Sequence, residues 1–360
     1  SLHKTPPDSI KRYQQIKLKF DEFVSNKIFI QDKDSCYYVY KQIKKKRAYV
    51  GIIACGSIDD YINGVIKKHE QTITSREKKL KSYLDVCKFE AEPVLFFYPE
   101  SKKINEILHD VIKRTCEYSF KTDDGIQHEL WVVSEKKQVG LIKAEFENIP
   151  SVYIGDGHHR SASSVLHGRE QRRRNIDYTG RESFNYYMGI YFSESQLKIY
   201  DYNRVINDLN NYTELDFLEK IKHNFIVLKS SKSIRPKTQH QFSMFLGDSW
   251  YLLTLKPNLL KSKKEEQATD ANILNDYVLT PLLGIKDFKK DKRIKYIAGT
   301  KGNRALKQEV KSGDGKVAFG LYPMSFKELK GVADLNKTLP PKSTWIEPKL
   351  RSALVLYSLE

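Results

Sequence analysis

The sequence predicts a mixed α+β protein, with helices and several sheets rather than one doubly wound sheet. Three observations lead there: strand-length apolar runs rich in Val, Ile, Tyr and Phe, stretches with helical periodicity, and an irregular order of the two along the chain. A chain of 360 residues is long enough for about two domains with large buried cores. We expect an N-terminal α+β part over 1–208, a small inserted α/β domain over 209–262, and a C-terminal part over 263–360 that packs back on the core.

The first helix is expected from Pro7 to Phe23, followed by a strand pair, Tyr37–Tyr40 and Tyr49–Ile53, around a basic turn. Ser57 with Asp60 resembles a capping box, and Tyr61, Ile62, Val65, Ile66 and His69 share one face of the helix it would open. Thr74 with Glu77 makes a second box, so the link between these helices carries His69-Glu70-Gln71-Thr72. Pro93–Tyr98 is a buried-strand run, Ile104–Thr115 an amphipathic helix and Glu129–Val133 a further strand. Val152-Tyr153-Ile154 reads as a buried strand, and Ala162, Val165 and Leu166 continue at helical spacing until Gly168 offers a stop. An Arg-rich loop follows, then strands near Asn185–Phe192 and Leu197–Val205. Shorter pieces come next, including strands Phe242–Phe245 and Trp250–Leu255 about Gly247-Asp248. A helix near Asn272–Leu283, a strand near Ile294–Ala298, a turn at Asp314-Gly315 and a strand over Val317–Tyr322 complete the body.

Near the end, Pro340 and Pro341 push the residues before them toward an extended shape, which would display Lys342, Ser343 and Thr344 on a rigid arm. The same arm also reads as a strap whose Trp345 plugs a core, with Glu347 and Arg351 paired at helical spacing.

Lys plus Arg outnumber Asp plus Glu by 62 to 45, a formal charge of +17 that favours an anionic ligand or partner. The densest basic runs, Lys44–Arg47, Arg172–Arg174 and Lys289–Arg293, fall in expected turns and are not threaded with aromatics. No nucleic-acid-binding motif appears either, so nucleic acid is disfavoured as a partner. No apolar run approaches the roughly 18 residues of a membrane span, and Ser1-Leu2-His3-Lys4 has no signal-peptide core. We therefore expect no membrane partner and a cytoplasmic location. Cys36, Cys55, Cys87 and Cys116 are widely spaced, which fits reduced structural thiols rather than a zinc or redox motif.

The densest chemistry lies in Gly155–Ser164, where a strand, a tight turn and a helix N-terminus carry a carboxylate, two imidazoles and a guanidinium. A helix start leaves unpaired N–H groups and the positive end of the helix dipole, which favour phosphate. Arg160 adds a fork of donors suited to phosphate oxygens, and Asp156 supplies the hard oxygen that Mg²⁺ prefers. The plainer alternative is that Asp156 caps the helix and the histidines satisfy polar neighbours. Adjacent His158 and His159 point in different directions in either regular structure, so a shared metal is disfavoured. No P-loop, protein-kinase set, G-x-S-x-G elbow or H-E-x-x-H motif is present. Phosphoryl transfer fits what remains, with Glu70 as candidate base and Asp156 as candidate metal ligand. Against this, Glu70 also reads as a solvated charge at a helix end, and His69 as a satisfied histidine on an inner helix face.

Four segments carry a family resemblance: Ile66-Lys67-Lys68-His69-Glu70-x-Thr72, Tyr153–Arg160, Tyr202-Asn203-Arg204-Val205, and Pro340–Trp345 continuing through Glu347–Ser352. Together they resemble the domain of unknown function 1015 family, over nearly the whole chain. The Gly-Asp-Gly-His-His-Arg element is also similar to the phosphate corner of the ParB and sulfiredoxin superfamily, whose free-serine kinase branch phosphorylates the amino acid itself. The resemblance implies a ParB/sulfiredoxin-like core, and a kinase that makes O-phospho-L-serine from free L-serine with pyrophosphate as donor and Mg²⁺ as cofactor.

Carried over by position, Glu70, Asp156 and His158 would be catalytic, and Gly157, His159, Arg160, Ser161, Arg204 and Lys342 would hold phosphate. His69, Thr72, Asn203, Ser343, Thr344 and Trp345 would contact substrate. The alternatives are a serine kinase using ATP or ADP, and a ParB-like protein that binds nucleotide or nucleic acid without catalysis. Two departures from the family pattern stand out. The usual N-terminal Pro-Tyr-Asp element is missing before Leu2-His3, through loss in this lineage or a shortened chain, and Gly155 stands where alanine is common. Sulfiredoxin chemistry is disfavoured because no cysteine lies beside the His-Arg pair.

Overall fold

A computed structural model describes residues 5–261, 264 and 267–360, so Leu2-His3 lies outside the described residues. The chain forms two compact units, Ser1–Leu197 with Pro348–Glu360, and Lys198–Glu347. The fold is mixed α+β, with sheets and helices in both units.

In the first unit the order is α1 (Ile10–Ser25), β1 (Tyr37–Lys44), β2 (Arg47–Ser57), α2 (Ile58–Ile62), β3 (Ile66–Lys67), α3 (Thr74–Cys87), β4 (Phe89–Glu90) and β5 (Val94–Tyr98). There follow α4 (Lys102–Val111), β6 (Tyr118–Lys121), β7 (Gln127–Val133), α5 (Lys136–Glu147), β8 (Val152–Asp156), α6 (His158–Arg174) and β9 (Tyr186–Ser193). Eight of the strands make one mixed sheet in the order β3-β8-β5-β9-β2-β1-β7-β6. Every residue of β5 is buried, as its unbroken apolar run requires of a strand between two neighbours and covered on both faces. Val94, Phe96, Tyr98, Ile154, Tyr187 and Tyr191 pack into the core on that sheet.

The second unit begins with β10 (Lys198–Tyr200), β11 (Tyr202–Ile206), α7 (Glu214–Asn224), β12 (Phe225–Ser230), β13 (Gln241–Leu246) and β14 (Ser249–Leu255). It continues with α8 (Asp270–Leu274), β15 (Ile294–Ala298), α9 (Gly302–Lys311), β16 (Val317–Leu321), α10 (Phe326–Asp334) and β17 (Trp345–Glu347). An antiparallel sheet, β12-β14-β13-β16-β11-β15, carries a core of its own around Phe217, Phe242, Leu253, Leu274 and Phe319. β10 pairs with β17, so the two ends of this unit lie side by side, Lys198 opposite Glu347. The chain then returns to the first unit, where β18 (Tyr357–Ser358) pairs with β4.

The expected cuts at 208/209 and 262/263 fall inside one hydrogen-bonded sheet. β13, from the supposed insert, pairs with β16, and β16 pairs with β11. Local patterns show strands but not which distant strands pair, and that pairing decides the division.

Four local expectations change for identifiable reasons. The helix after Ser57 stops at Ile62 because Gly64 takes a left-handed turn (φ 76°), and Ile66 enters β3 instead of a helix face. At α3 the N-cap is Ile73, and the Thr72 hydroxyl, rather than Thr74, bonds Glu77. α6 runs past Gly168 to Arg174, which puts Arg172–Arg174 in its last turn and not in a loop. A Cβ on Gly168 would lie 2.4 Å from the Phe184 carbonyl and 2.6 Å from Ile58 Cδ1, so this glycine serves close packing, not termination. In the C-terminal arm, Glu347 accepts from Trp345 Nε1 (2.9 Å) while Arg351 pairs with Asp124 (2.9 Å), replacing the Glu347–Arg351 pair. All four cysteines are free.

Candidate active site

β3 and β8 are parallel neighbours, with Ile66 opposite Val152 and Lys67 opposite Tyr153. Parallel strands end on the same edge of a sheet, so the His69–Thr72 loop and the Gly157–Arg160 turn emerge side by side at the carboxyl ends. Ligands of open sheets bind in such places. A register shift sets the last step of β8: Asp156 pairs with Leu95 and Ile154 with Phe96, leaving Gly155 as the extra residue of a bulge. Bulges re-aim the side chain that follows, here Asp156.

Gly157 then takes a left-handed conformation (φ 102°) as N-cap of α6 and brings no side chain to cap it. At a helix start the first-turn N–H groups have no carbonyl of the preceding helical turn to bond. The two histidines of that turn hold the neighbouring loop. His158 Nε2 accepts a long hydrogen bond from His69 N–H (3.4 Å), and His159 Nε2 accepts one from Ile73 N–H (3.0 Å). With Nε2 as acceptor, neutral His158 carries its proton on Nδ1, which faces Glu70 Oε2 at 3.7 Å. The His69 and His158 rings meet edge to face at 4.5 Å, and His69 Nδ1 is buried without a hydrogen-bond partner among the described residues.

Burial pushes the His69 imidazole down to about 4 against a smaller pull from Asp156. Burial, followed by the neighbouring His69, His159, Arg160 and Lys68, beside which a further positive charge is disfavoured, holds His158 well below the usual histidine range. Both rings are therefore neutral near pH 7. Burial raises the Asp156 carboxyl, but the Lys349 ammonium at 2.8 Å, Arg160 and the Gly157 N–H outweigh it and keep it below the ordinary carboxylate range. Asp156 is thus ionised, and Arg160 Nη1 pairs with Glu92 at 2.8 Å.

The structure brings Glu70, His69, Asp156, Gly157, His158, His159 and Arg160 to one edge of the first unit's sheet. Two other candidates there face elsewhere. Ser161 is fully buried beside Tyr187, and the Thr72 hydroxyl is engaged by Glu77. The remaining candidates belong to the second unit. Asn203 is buried, and its Oδ1 accepts from Leu321 N–H (3.0 Å). Arg204 is 1% exposed, lies over the Tyr296 ring at 5.3 Å and donates to the Tyr202 carbonyl. Burial lowers it to about 10, which leaves it charged. Its surroundings are those of an internal support rather than a surface cation. Lys342 stands over Tyr202 (5.6 Å), Trp345 meets the same ring edge-on (5.7 Å), Ser343 Oγ bonds the Pro340 carbonyl (2.7 Å), and Thr344 is half-buried.

Three residues of the first unit were not picked out from the sequence: Lys349, Glu90 and Glu92. Glu90 accepts from Ser164 Oγ (2.7 Å) and Met188 N–H (2.6 Å), and burial pushes its carboxyl up to about 7. Glu90 ends β4 and Glu92 follows two residues on, at a bend, and their partners Ser164 and Arg160 are four apart on α6. Two carboxylates thus meet one helix face. The alternation Glu-Ala-Glu was the only local signal.

Among the described residues, no group of three or more His, Cys, Asp or Glu is placed to hold a metal ion. A Mg²⁺ that arrives with phosphate asks for only one or two carboxylates, the rest being phosphate oxygen and water. The ionised Asp156 fits that demand. Among the described residues, no helix is long and apolar enough to cross a membrane.

Several solved structures are similar to this chain. One is SbnI with a C-terminal truncation from Staphylococcus aureus, at TM-score 0.43 and 12% identity, over 85% of this chain and 87% of that one. A mutant free serine kinase in complex with AMP gives TM-score 0.40 and 11% identity, over 82% and 87%. A conserved hypothetical protein from Pyrococcus furiosus gives 0.39 and 12%, over 88% and 97%. No curated protein matches the sequence. The family described as protein of unknown function (DUF1015) matches residues 2–277, and this chain belongs to it.

Proposed function

We propose that this protein is a phosphotransferase that phosphorylates free L-serine to O-phospho-L-serine, with pyrophosphate as donor and Mg²⁺ as cofactor. The observation that carries the reading is the α6 start: an N-cap without a side chain, an ionised Asp156 and Arg160 beside it, and a Glu-bearing loop held alongside by the His158 and His159 rings. Serine as acceptor and pyrophosphate as donor are supported by the four motif segments, and a phosphate-bearing donor by the α6 start and the Arg160 guanidinium.

In the reaction, the serine hydroxyl oxygen attacks one phosphorus of pyrophosphate and the bridging P–O bond breaks. Its electron pair leaves with inorganic phosphate, and the hydroxyl proton passes to Glu70. N–H groups at the α6 start and the Arg160 guanidinium neutralise charge on the transferred group. Bound Mg²⁺ would lie on Asp156 and screen the charge of the phosphate oxygens. His158, neutral with its proton on Nδ1 facing Glu70, orients that carboxylate.

The test is incubation with L-serine and Mg²⁺ plus pyrophosphate, ATP or ADP in turn, with products read by ³¹P NMR. Phosphoserine from pyrophosphate is the expected outcome. Phosphoserine from a nucleotide alone would change the donor, and none from any donor would end the serine kinase reading.

A further inference from the structure

Lys349 lies in Pro348–Glu360, the segment that returns to the first unit after the whole of the second. Three ties fix its path there. Arg351 pairs with Asp124 (2.9 Å), Ala353 N–H donates to the Ala91 carbonyl (2.7 Å), and Tyr357 and Ser358 pair with β4. Lys349 Nζ is thereby delivered to within 2.8 Å of Asp156 Oδ2, one residue before the N-cap of α6. The corner's two opposite charges are each matched by a partner, Asp156 by Lys349 and Arg160 by Glu92. Lys349 and Asp156 are 42% and 46% exposed, so their pair is of the weak, exchangeable kind.

We propose that Lys349 is a further donor-phosphate ligand, parked on Asp156 until a divalent cation takes that carboxylate and then passed to the phosphate oxygens. This inference rests on the phosphate-handling reading above. A hard cation and an ammonium compete for the same Oδ2, whereas the ammonium and the α6 N-terminus attract the same anion. Lys349 therefore opposes the metal alone and supports the anion alone. When both bind, the competition is relieved, and linkage requires each to tighten the other. The exchange makes and breaks only ionic contacts.

The signature is a pair of opposite shifts, read by titration calorimetry on the full chain with Mn²⁺ alone and with metal-free inorganic pyrophosphate alone. In Lys349→Gln, Mn²⁺ should bind about threefold tighter and pyrophosphate about fivefold weaker than in the parent, the scale of one half-exposed ion pair. Lys349→Arg should keep the parent's pyrophosphate affinity. Should Lys349→Gln fail to fold, Asp156→Asn provides the second reading, with metal-free pyrophosphate expected about threefold tighter because the lysine is released. Unchanged affinities, or two that fall together, would make Lys349 a strap contact and overturn the inference while leaving the kinase reading intact. A parent chain that binds neither probe would overturn both.

Discussion

Asp156 and Glu70 serve different ends in the proposed transfer, and their surroundings differ accordingly. Asp156 is held ionised by Lys349 and Arg160, whereas Glu70 is 41% exposed and faces the protonated Nδ1 of His158. Asp156→Asn and Glu70→Gln are each expected to lower serine phosphorylation at least about a hundredfold, the low end for loss of a general base. Near-normal turnover in either folded variant would remove its assignment. Glu90 makes a separate prediction. Its carboxyl titrates near 7 in the folded chain against an ordinary 4.5, so the folded state prefers the protonated acid. That preference is fully present below pH 4.5 and is lost as pH rises through 7. Arg160, Cys55, Tyr357 and the Ser164 and Met188 donors face this group. Glu90→Gln can still accept from Met188 N–H and, with the Ser164 hydroxyl turned round, donate to Ser164 Oγ, so it should gain stability over the parent as pH rises from 5 to 8, on the order of 3 kcal/mol. Parallel melting profiles across that range would contradict the buried charge.

At the scale of elements, α6 joins the fold to the site. Its first turn carries the corner and its middle packs through Gly168 against α2 and the turn at Ser183–Asn185. Alanine usually suits a helix better than glycine by about 1 kcal/mol. At Gly168 the added methyl would meet a backbone carbonyl, so Gly168→Ala should instead cost about 1–3 kcal/mol by overpacking. A melting temperature equal to or above the parent's would show that the contact can yield. The strand, turn and helix of this corner were legible because Val152–Ile154 and Ala162–Leu166 have clean, local periodicities. What was not legible depends on distant partners. Gly168 looked like a stop because its neighbours Phe184 and Ile58 are far in sequence. Ile66 continued a helical face but was claimed by pairing with Val152, with Gly64 providing the break. Lys349 sits within a quoted motif, yet nothing local ties it to a residue nearly two hundred positions earlier.

For the whole molecule, the second unit is one continuous stretch whose ends pair with each other through β10 and β17, and it has its own sheet and core. Adjacent termini suit a self-contained body. Residues 198–347 expressed alone should melt cooperatively with mixed α and β circular dichroism, and a non-cooperative profile would mean that this unit needs the rest of the chain. The charge of +17 is spread over a long chain, and the phosphate reading depends on one corner of it rather than on the total. The most direct measurement is therefore a crystal structure with pyrophosphate and serine bound. Phosphate oxygens are expected against the N–H groups at the α6 start, beside Arg160 and Asp156, with the serine hydroxyl toward Glu70. Pyrophosphate seated elsewhere, with that corner untouched, would contradict this placement.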